Sequence, residues 1–212
     1  MSKGLFIVID GIDGSGKSEI IKMLHNHLYS SSKKFRILTT REPTHGKFGM
    51  ELRKLLREDT DPKSNMEKMA ELFVKDRQEH LKKTIEPFLE ANESDELNIV
   101  ICDRYYYSTI AFQSAQGLDM KMLIEINKNF RKPDVAIILD VEPKIALKRI
   151  SGRKKEKFEQ LDFMDKIRTN FRKMPSLLDE YIKIIDASPS IKKVFEKVRE
   201  EVDKIVKGVL IT

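Results

Sequence analysis

The segment at residues 11–18 reads Gly-Ile-Asp-Gly-Ser-Gly-Lys-Ser and fits the pattern G-x-x-x-x-G-K-[ST] at every fixed position. An apolar run at residues 5–9 precedes it, and apolar residues with helical spacing follow over residues 20–28. A strand, a glycine turn and a helix in this order form a P-loop, whose backbone N–H groups and helix N-terminus surround phosphate oxygens. The sequence therefore predicts a nucleotide-binding α/β domain. Its predicted phosphate-binding residues are Gly11, Ile12, Asp13, Gly14, Ser15, Gly16, Lys17 and Ser18.

The last two residues of this loop carry the charge and the metal-binding group. Lys17 is expected to contact the β- and γ-phosphates of the nucleotide, and the Ser18 hydroxyl is expected to bind Mg²⁺. A carboxylate at a strand end can hold the same ion through water, and both Asp103 and Asp140 directly follow apolar runs. Spacing alone does not choose between these two, but the neighbouring Arg104 favours Asp103 as the second metal residue.

Five short apolar runs, separated by helical patterns, are predicted to be buried strands. Most of them lack polar alternation, which is typical of parallel strands that helices cover on both faces. The order of elements predicts an α/β fold: a P-loop NTPase-type, doubly wound sheet of five parallel strands flanked by helices, in one domain over residues 1–212. The predicted strands lie at residues 5–9, 35–39, 97–102, 135–139 and 181–185.

Two long helices are also predicted. One helical pattern runs from about residue 65 to residue 89. The last helix is predicted to begin at Ser188 as its N-cap, with Pro189 in its first turn, because both residue types favour helix starts. The apolar residues of this last helix recur with helical spacing over residues 191–206, so one of its faces is expected to pack on the sheet.

The composition excludes several classes of protein. No apolar run approaches the about 20 residues that a membrane-spanning helix needs, and the first residues lack the features of a signal peptide. The single cysteine, Cys102, cannot form an internal disulfide, which favours a cytoplasmic protein. The net charge of +6 suits an anionic partner, and nucleotide phosphates explain it as well as nucleic acid does. We therefore predict small nucleotides as partners, with neither nucleic acid nor membrane.

Two arginines at strand ends predict a second anion site. The second apolar run leads into Arg41, and the third leads into Asp103 and Arg104. Ligands of open parallel sheets bind outside the carboxyl ends of the strands, so both arginines are expected to converge near the P-loop. Arginine can hold a phosphate through two hydrogen bonds at once. This pattern favours a kinase for a small acceptor over a GTPase, because the sequence has no Asn-Lys-x-Asp motif to bind guanine.

Several further motifs, taken in their order along the chain, carry a family resemblance. They are the P-loop with Asp13, Thr40-Arg41-Glu42-Pro43, Leu72-Phe73 with Asp76-Arg77, Asp103-Arg104-Tyr105 with Ser108, Ala111-Phe112-Gln113, and Ala146-Leu147-Lys148-Arg149 followed by Glu156-Lys157-Phe158-Glu159. From about residue 5 to residue 205 the chain resembles thymidylate kinase, the dTMP kinase of the nucleoside monophosphate kinase group. The resemblance implies Mg²⁺-dependent phosphoryl transfer from ATP to dTMP, giving ADP and dTDP for dTTP synthesis.

The resemblance also implies a pocket for dTMP. Phe73 and Arg77 share one face of a helix; Phe73 would stack on thymine and Arg77 would donate to its O4. Pro43 would line the space for the methyl group, Asp13 would accept a hydrogen bond from the 3′-hydroxyl, and Phe112 would screen the 2′ position. Ser108 and Thr109 lie where the family contacts the base edge. The implied dTMP-binding residues are Asp13, Arg41, Pro43, Phe73, Arg77, Arg104, Ser108, Thr109, Phe112 and Gln113.

A basic segment at about residues 150–158 resembles the lid of this family. Some thymidylate kinases carry an arginine inside the P-loop, where this chain has Gly14 and Ser15, and others carry it in the lid, where this chain has Arg153. The resemblance further implies a homodimer. Its catalytic groups, carried over to this chain, are Lys17, Asp103, Arg104, Arg149 and Arg153.

Two other interpretations stay open at this point. One is a kinase for another pyrimidine monophosphate, or for the 5′-hydroxyl of a deoxynucleoside with Asp103 recruited as the base. The other is a non-catalytic P-loop module that binds nucleotides or nucleic acid. The first differs only in its acceptor, whereas the second predicts slow ATP turnover that dTMP does not change.

Overall fold

A computed structural model describes residues 4–58, 65–91, 96–151 and 158–211. Five strands form one sheet with the order β2-β3-β1-β4-β5, in which every neighbouring pair is parallel. The predicted five-stranded parallel sheet is confirmed, because each predicted apolar run coincides with one strand to within two residues. The strands are β1 (Leu5–Gly11), β2 (Phe35–Arg41), β3 (Leu97–Asp103), β4 (Val135–Asp140) and β5 (Ile182–Asp186).

Helices separate the strands along the described chain. The helical pattern predicted from about residue 65 to residue 89 is confirmed as α3 and α4, joined by a π-helical turn over Leu81–Ile85. No helix in the described residues is long and apolar enough to cross a membrane. The helices are α1 (Lys17–Ser31), α2 (Lys47–Glu58), α3 (Met66–His80), α4 (Glu86–Glu90), α5 (Tyr106–Gln116), α6 (Met120–Asn127), α7 (Pro143–Ser151), α8 (Phe158–Leu177) and α9 (Ile191–Ile211).

Two layers of helices cover the sheet. Every residue of the central strand β1 is buried, and because successive strand residues point to opposite faces, both faces of the sheet are covered. α1 packs against α9 in one layer, and α5 packs against α8 in the other. The doubly wound arrangement predicted from the sequence is therefore confirmed.

The strand order brings the functional segments together at one edge of the sheet. β3 pairs with both β1 and β2, so that Asp103 is in register with Ile9 on one side and with Arg41 on the other. All strands are parallel, so their carboxyl ends lie at the same edge. The P-loop follows β1 at this edge, and Arg41 and Arg104 lie beside it at the ends of the two neighbouring strands.

The predicted start of the last helix is wrong by two residues, because Ser190 and not Ser188 directly precedes the first helical residue. α9 begins at Ile191, and its hydrogen-bond ladder starts with Val194 N–H donating to the Ser190 carbonyl at 3.1 Å. The Ser188 N–H instead donates to Asp186 Oδ1 at 2.9 Å, which fixes a loop after β5. A serine followed by proline suits this loop as well as it suits a helix start.

Candidate active site

The P-loop joins β1 to α1 through glycines in backbone conformations that other residues rarely adopt. φ is +141° at Gly11, +80° at Gly14 and +97° at Gly16. Gly14 also has no room for a side chain, because an added Cβ would lie 2.3 Å from the carbonyl oxygen of Ala146. These conformations suit a loop whose backbone N–H groups surround an anion.

Lys17 lies folded against this loop at the start of α1. Its Nζ donates to the carbonyl oxygens of Gly11 and Ile12, both at 3.0 Å, and lies 4.0 Å from Asp13 Oδ1. The side chain is only 7% exposed. Burial, followed by the neighbouring cation Arg104, lowers the pKa of Lys17 to about 8. The ammonium is thus held in place by backbone carbonyls, and a bound phosphate would bring an anion directly against it.

This pKa predicts a pH dependence for nucleotide use. Below a pH of about 8, Lys17 is protonated and attracts phosphate. Above this pH the side chain is a neutral amine and no longer attracts phosphate by its charge. We expect kcat/KM for ATP to fall as the pH rises through this value, since kcat/KM reports ionisations of the free enzyme. The residual activity of Lys17→Arg should not fall in this pH range, because a guanidinium stays charged. A wild-type profile that is flat to pH 9.5 would contradict the prediction.

A cavity of about 560 Å³ opens beside the P-loop; we call it the donor cavity. Arg149 of α7 lines it, and its Nη2 donates to the carbonyl oxygens of Ala187 at 3.0 Å and Ser188 at 3.3 Å. The volume of the donor cavity is in the range of small-molecule binding sites. The other lining residues are Asp13, Gly14, Ser15, Gly16, Lys17, Ser18, Glu19, Arg41, Asp103, Arg104, Ala187, Pro189, Ser190, Ile191 and Val194.

Ser18 and Asp103 both line the donor cavity, and their chemistry fits Mg²⁺. Asp103 Oδ1 is buried without a hydrogen-bond partner among the described residues. Asp140 differs, because Arg168 donates to its Oδ1 at 2.6 Å and to its Oδ2 at 2.9 Å. The described part of the chain holds no cluster of three or more His, Cys, Asp or Glu side chains suited to a metal. An ion held by one hydroxyl, one carboxylate and nucleotide phosphates matches the ordinary coordination of Mg²⁺.

A second cavity, of about 530 Å³, adjoins the first; we call it the acceptor cavity. It is lined by residues from the P-loop, the segment after β2, and helices α2, α3, α5 and α8. Every residue implied for dTMP lines it except Thr109. Asp13, Arg41 and Arg104 line both cavities. Two ligands, one in each cavity, would therefore meet at these three residues.

Arg104 lies at the junction of the two cavities. Its Nη1 donates to the Gly11 carbonyl at 3.2 Å and to Ser108 Oγ at 3.0 Å, and its Nη2 pairs with Asp13. Its guanidinium lies over the ring of Phe112, 5.4 Å from the ring centroid. The side chain keeps 15% exposure. The cation is thus fixed before any ligand arrives, and its remaining exposed surface faces both cavities.

Arg77 forms the floor of the acceptor cavity and is fully buried. Its Nε donates to Glu42 Oε2 at 3.0 Å, its Nη1 to Asn127 Oδ1 at 2.6 Å, and its Nη2 to Thr109 Oγ1 at 3.0 Å. Thr109 therefore holds the guanidinium from below and does not line the cavity. Of the residues implied for dTMP, it is the one that the fold does not bring to the cavity surface.

Gln113 brings an unpaired acceptor to the same cavity. Its Nε2 donates to Gln116 Oε1 at 3.1 Å, which aligns the amide. Its Oε1 is buried and has no hydrogen-bond partner within the described residues. A buried carbonyl oxygen without a donor is costly, by about 1–3 kcal/mol, and therefore marks a position where a ligand N–H or O–H is expected.

Comparisons with known proteins agree with this geometry. Residues 9–198 match the family model described as thymidylate kinase. The chain belongs to the thymidylate kinase family. It is 37% identical to a probable thymidylate kinase of Pyrococcus horikoshii, over 99% of this chain and 98% of that protein. It is 36% identical to a probable thymidylate kinase of Archaeoglobus fulgidus (97% and 96% covered) and to a thymidylate kinase of Desulfotalea psychrophila (96% of each).

Arg53 is a further cation of this thymidylate kinase site that the sequence analysis did not identify. It lies on α2, lines the acceptor cavity, and donates through Nε to the Thr44 carbonyl at 3.3 Å and through Nη2 to Pro43 O. Burial and the nearby Arg41 lower its pKa. The only signal available was its place on an amphipathic helix directly after the Arg41 segment, which does not show which way a side chain points.

The lid implied by the thymidylate kinase resemblance is only partly described. Arg153 and the other residues at 152–157 lie outside the described residues; α7 ends at Ser151 before them and α8 begins at Phe158 after them. Arg149 lies on α7 in the wall of the donor cavity. Catalytic roles for Arg149 and Arg153 stay predictions.

Proposed function

We propose that this chain transfers the γ-phosphoryl group of ATP to dTMP, giving ADP and dTDP for dTTP synthesis. The observation that carries the proposal is that the donor cavity at the P-loop and the acceptor cavity of about 530 Å³ adjoin at three shared residues, Asp13, Arg41 and Arg104. The names of its relatives, probable thymidylate kinase and thymidylate kinase, support the same reaction. ATP would lie in the donor cavity and dTMP in the acceptor cavity, with their phosphates toward the junction.

The acceptor cavity favours thymine over cytosine through hydrogen-bond polarity. Gln113 Oε1 is an unpaired acceptor that matches the N3–H of thymine, whereas N3 of cytosine is itself an acceptor. Arg77, which lines the cavity, would donate to O4, and cytosine has an amino donor at that position. Each mismatched polar pair costs about 1–3 kcal/mol, so two of them exclude dCMP strongly.

Apolar residues would place the rest of dTMP. Phe73 lines the cavity with its ring partly exposed and would stack on thymine, while Pro43 would contact the methyl group. Phe112, held against Arg104, would screen the 2′ position and so disfavour ribonucleotides. Asp13 would accept a hydrogen bond from the 3′-hydroxyl.

The chemistry needs cations more than it needs a base. The phosphate of dTMP is already a nucleophilic anion, so positioning and charge neutralisation account for catalysis. Lys17 would bridge the transferred phosphate, and Arg104 would hold the acceptor phosphate and orient it toward the γ-phosphoryl group. Ser18 and Asp103 would hold Mg²⁺, which supplies charge neutralisation at the β- and γ-phosphate oxygens when bound. Arg149 and Arg153 would add positive charge from the lid side.

The acceptor panel tests the proposal. ADP release, coupled to NADH oxidation, is measured with dTMP, dUMP, dCMP, UMP, AMP and thymidine at equal concentrations. We expect dTMP to have the highest kcat/KM, dUMP to follow by a factor of about 10 for the lost methyl contact, and dCMP to be lower than dTMP by about 10³ or more. In Gln113→Leu, the preference for dTMP over dCMP should narrow, because the acceptor that separates the two bases is gone.

The same panel decides between the competing interpretations. Highest turnover with dCMP or UMP would assign another pyrimidine monophosphate as the acceptor, and turnover with thymidine would assign a deoxynucleoside kinase. Slow ATP hydrolysis that no acceptor changes would leave a non-catalytic P-loop module. The homodimer, the cytoplasmic location and the single domain over residues 1–212 stay predictions beside this proposal.

A further inference from the structure

Asp10 is a fully buried carboxylate to which the proposed reaction gives no role. It is the residue of β1 that directly precedes the glycines of the P-loop. Its Oδ1 accepts from Gly11 N–H at 2.8 Å and from Ser108 Oγ at 2.7 Å. Its Oδ2 accepts from the N–H groups of Tyr105 at 3.2 Å and Ser108 at 3.0 Å. One side chain therefore ties the first residue of the phosphate loop to the turn between β3 and α5.

That turn carries Arg104 in a strained backbone conformation. Arg104 has φ of +70°, the left-handed region that residues with a side chain rarely adopt. The Tyr105 N–H directly after it and the Ser108 N–H one turn later are both held by Asp10 Oδ2. Strain of this kind persists only where the surroundings hold it, and it clusters at functional sites. Asp10 supplies two of the bonds that hold this turn.

Asp10 also reaches the guanidinium of Arg104 itself. Arg104 Nη1 lies 3.7 Å from Asp10 Oδ1, and Ser108 Oγ bridges the two by donating to Asp10 at 2.7 Å and accepting from Arg104 at 3.0 Å. The same Nη1 donates to the Gly11 carbonyl, next to the N–H that Asp10 accepts. Asp10, Ser108 and the Gly11 carbonyl thus surround Nη1 of the guanidinium. Its Nη2 lies on the side of Asp13, which lines both cavities.

These contacts require a carboxylate in particular. Four N–H or O–H donors converge on two oxygens, and a full negative charge balances the adjacent cation. An amide of the same shape has only one oxygen, so its NH₂ group would face donors in either orientation. These donors would be the N–H groups of Tyr105 and Ser108 in one orientation, and the Gly11 N–H and Ser108 hydroxyl in the other. Removing one partner of a buried ion pair costs much more folding free energy than the intact pair contributes.

We propose that Asp10 is a positioning residue that joins the phosphate loop and Arg104 into one rigid unit, so that the donor and acceptor phosphates are held in fixed relation. The proposal rests on the proposed function, because it assigns Arg104 to the acceptor phosphate. Asp10 lines neither cavity, and it acts on the acceptor phosphate only through Arg104. A loss of its carboxylate should therefore change the acceptor reaction mainly while Arg104 is present.

A double-mutant cycle tests this coupling, with kcat/KM for dTMP measured in wild type, Asp10→Asn, Arg104→Ala and the double variant. We expect Asp10→Asn alone to lower kcat/KM by about 10- to 100-fold, as is typical of residues that orient a functional side chain. In the Arg104→Ala background the same change should cost less than about 3-fold, since residues in one network are not additive. An equal loss in both backgrounds would overturn the proposal.

A second variant and a matched control keep the test decisive if Asp10→Asn folds poorly. Asp10→Ser removes the carboxylate but keeps a hydroxyl that can accept from one of the four donors, and its loss of kcat/KM should also vanish in the Arg104→Ala background. Asp134 is the matched control, because its Oδ2 accepts from Phe6 N–H at 2.8 Å at the opposite end of β1. Asp134→Asn should lower Tm but leave kcat/KM for dTMP unchanged. An Asp10→Ser loss that persists without Arg104 would overturn the proposal, whereas wild type that fails to phosphorylate dTMP would overturn the proposed function instead.

Discussion

Lys17→Ala is expected to lower kcat for dTMP phosphorylation by at least about 10³-fold, which corresponds to about 4 kcal/mol of transition-state stabilisation. The reason is that the Lys17 ammonium is already fixed against the loop by the Gly11 and Ile12 carbonyls and is almost fully buried. A water molecule in its place would bring no positive charge to the transferred phosphate. The measurement is coupled ADP release at saturating ATP and dTMP.

The fold should survive this substitution. Lys17 contributes no core packing beyond its aliphatic stem, so we expect Tm to change by only a few degrees. Lys121→Ala is the control, because Lys121 is an exposed lysine on α6, away from both cavities. It should match wild type in both kcat and Tm. A Lys17→Ala protein with more than a tenth of wild-type kcat would show that the P-loop lysine is not part of the reaction.

Arg104→Ala is the second substitution with a large expected effect. Arg104 lines both cavities, so its loss removes a fixed cation at the place where the two phosphates meet. It also removes the hydrogen bond from Arg104 to Asp13 and the contact of the guanidinium with the ring of Phe112. We expect kcat/KM for dTMP to fall by about 10³-fold, with a lower kcat as well as a higher KM. The reason is that the cation acts on the reacting groups and not on ground-state binding alone.

The control for Arg104 is an arginine at the opposite edge of the sheet. Arg36 lies on β2, is exposed, and pairs with Glu96 at 3.2 Å. Exposed ion pairs contribute little to stability, so Arg36→Ala should lower Tm only slightly. Arg36 lines neither cavity, so kcat and KM should not change. A rise in KM for dTMP with unchanged kcat in Arg104→Ala would reduce Arg104 to a ground-state binding residue.

Local sequence signals were sufficient for much of the fold. The glycine loop identified the first strand and helix, and continuous apolar runs identified buried strands. The strand order β2-β3-β1-β4-β5 was not predicted, because it depends on which distant strands pair and no local pattern encodes that choice. The same limit produced the wrong helix start at Ser188, where Asp186 stabilises a loop that the sequence pattern resembles only in part.

Candidate site residues were predictable where their chemistry shows in a motif. Arg41 and Arg104 lie at strand ends, so parallel topology alone brought them near the P-loop. Asp103 and Asp140 looked alike, since both follow apolar runs, and the difference between them is Arg168, which comes from α8 further along the chain. Asp10 also follows an apolar run, but the sequence does not show its role, because its partners Tyr105 and Ser108 come from a distant segment of the chain.

The central claim is that one phosphoryl group passes directly between two nucleotides held at the shared residues Asp13, Arg41 and Arg104. The most direct test follows γ-³²P-labelled ATP mixed with dTMP, Mg²⁺ and the enzyme, with nucleotides and free phosphate separated by chromatography. We predict that the label appears in dTDP in a one-to-one ratio with the ADP formed and that little free phosphate is released. Label that accumulates as free phosphate, with dTMP unchanged, would contradict the account.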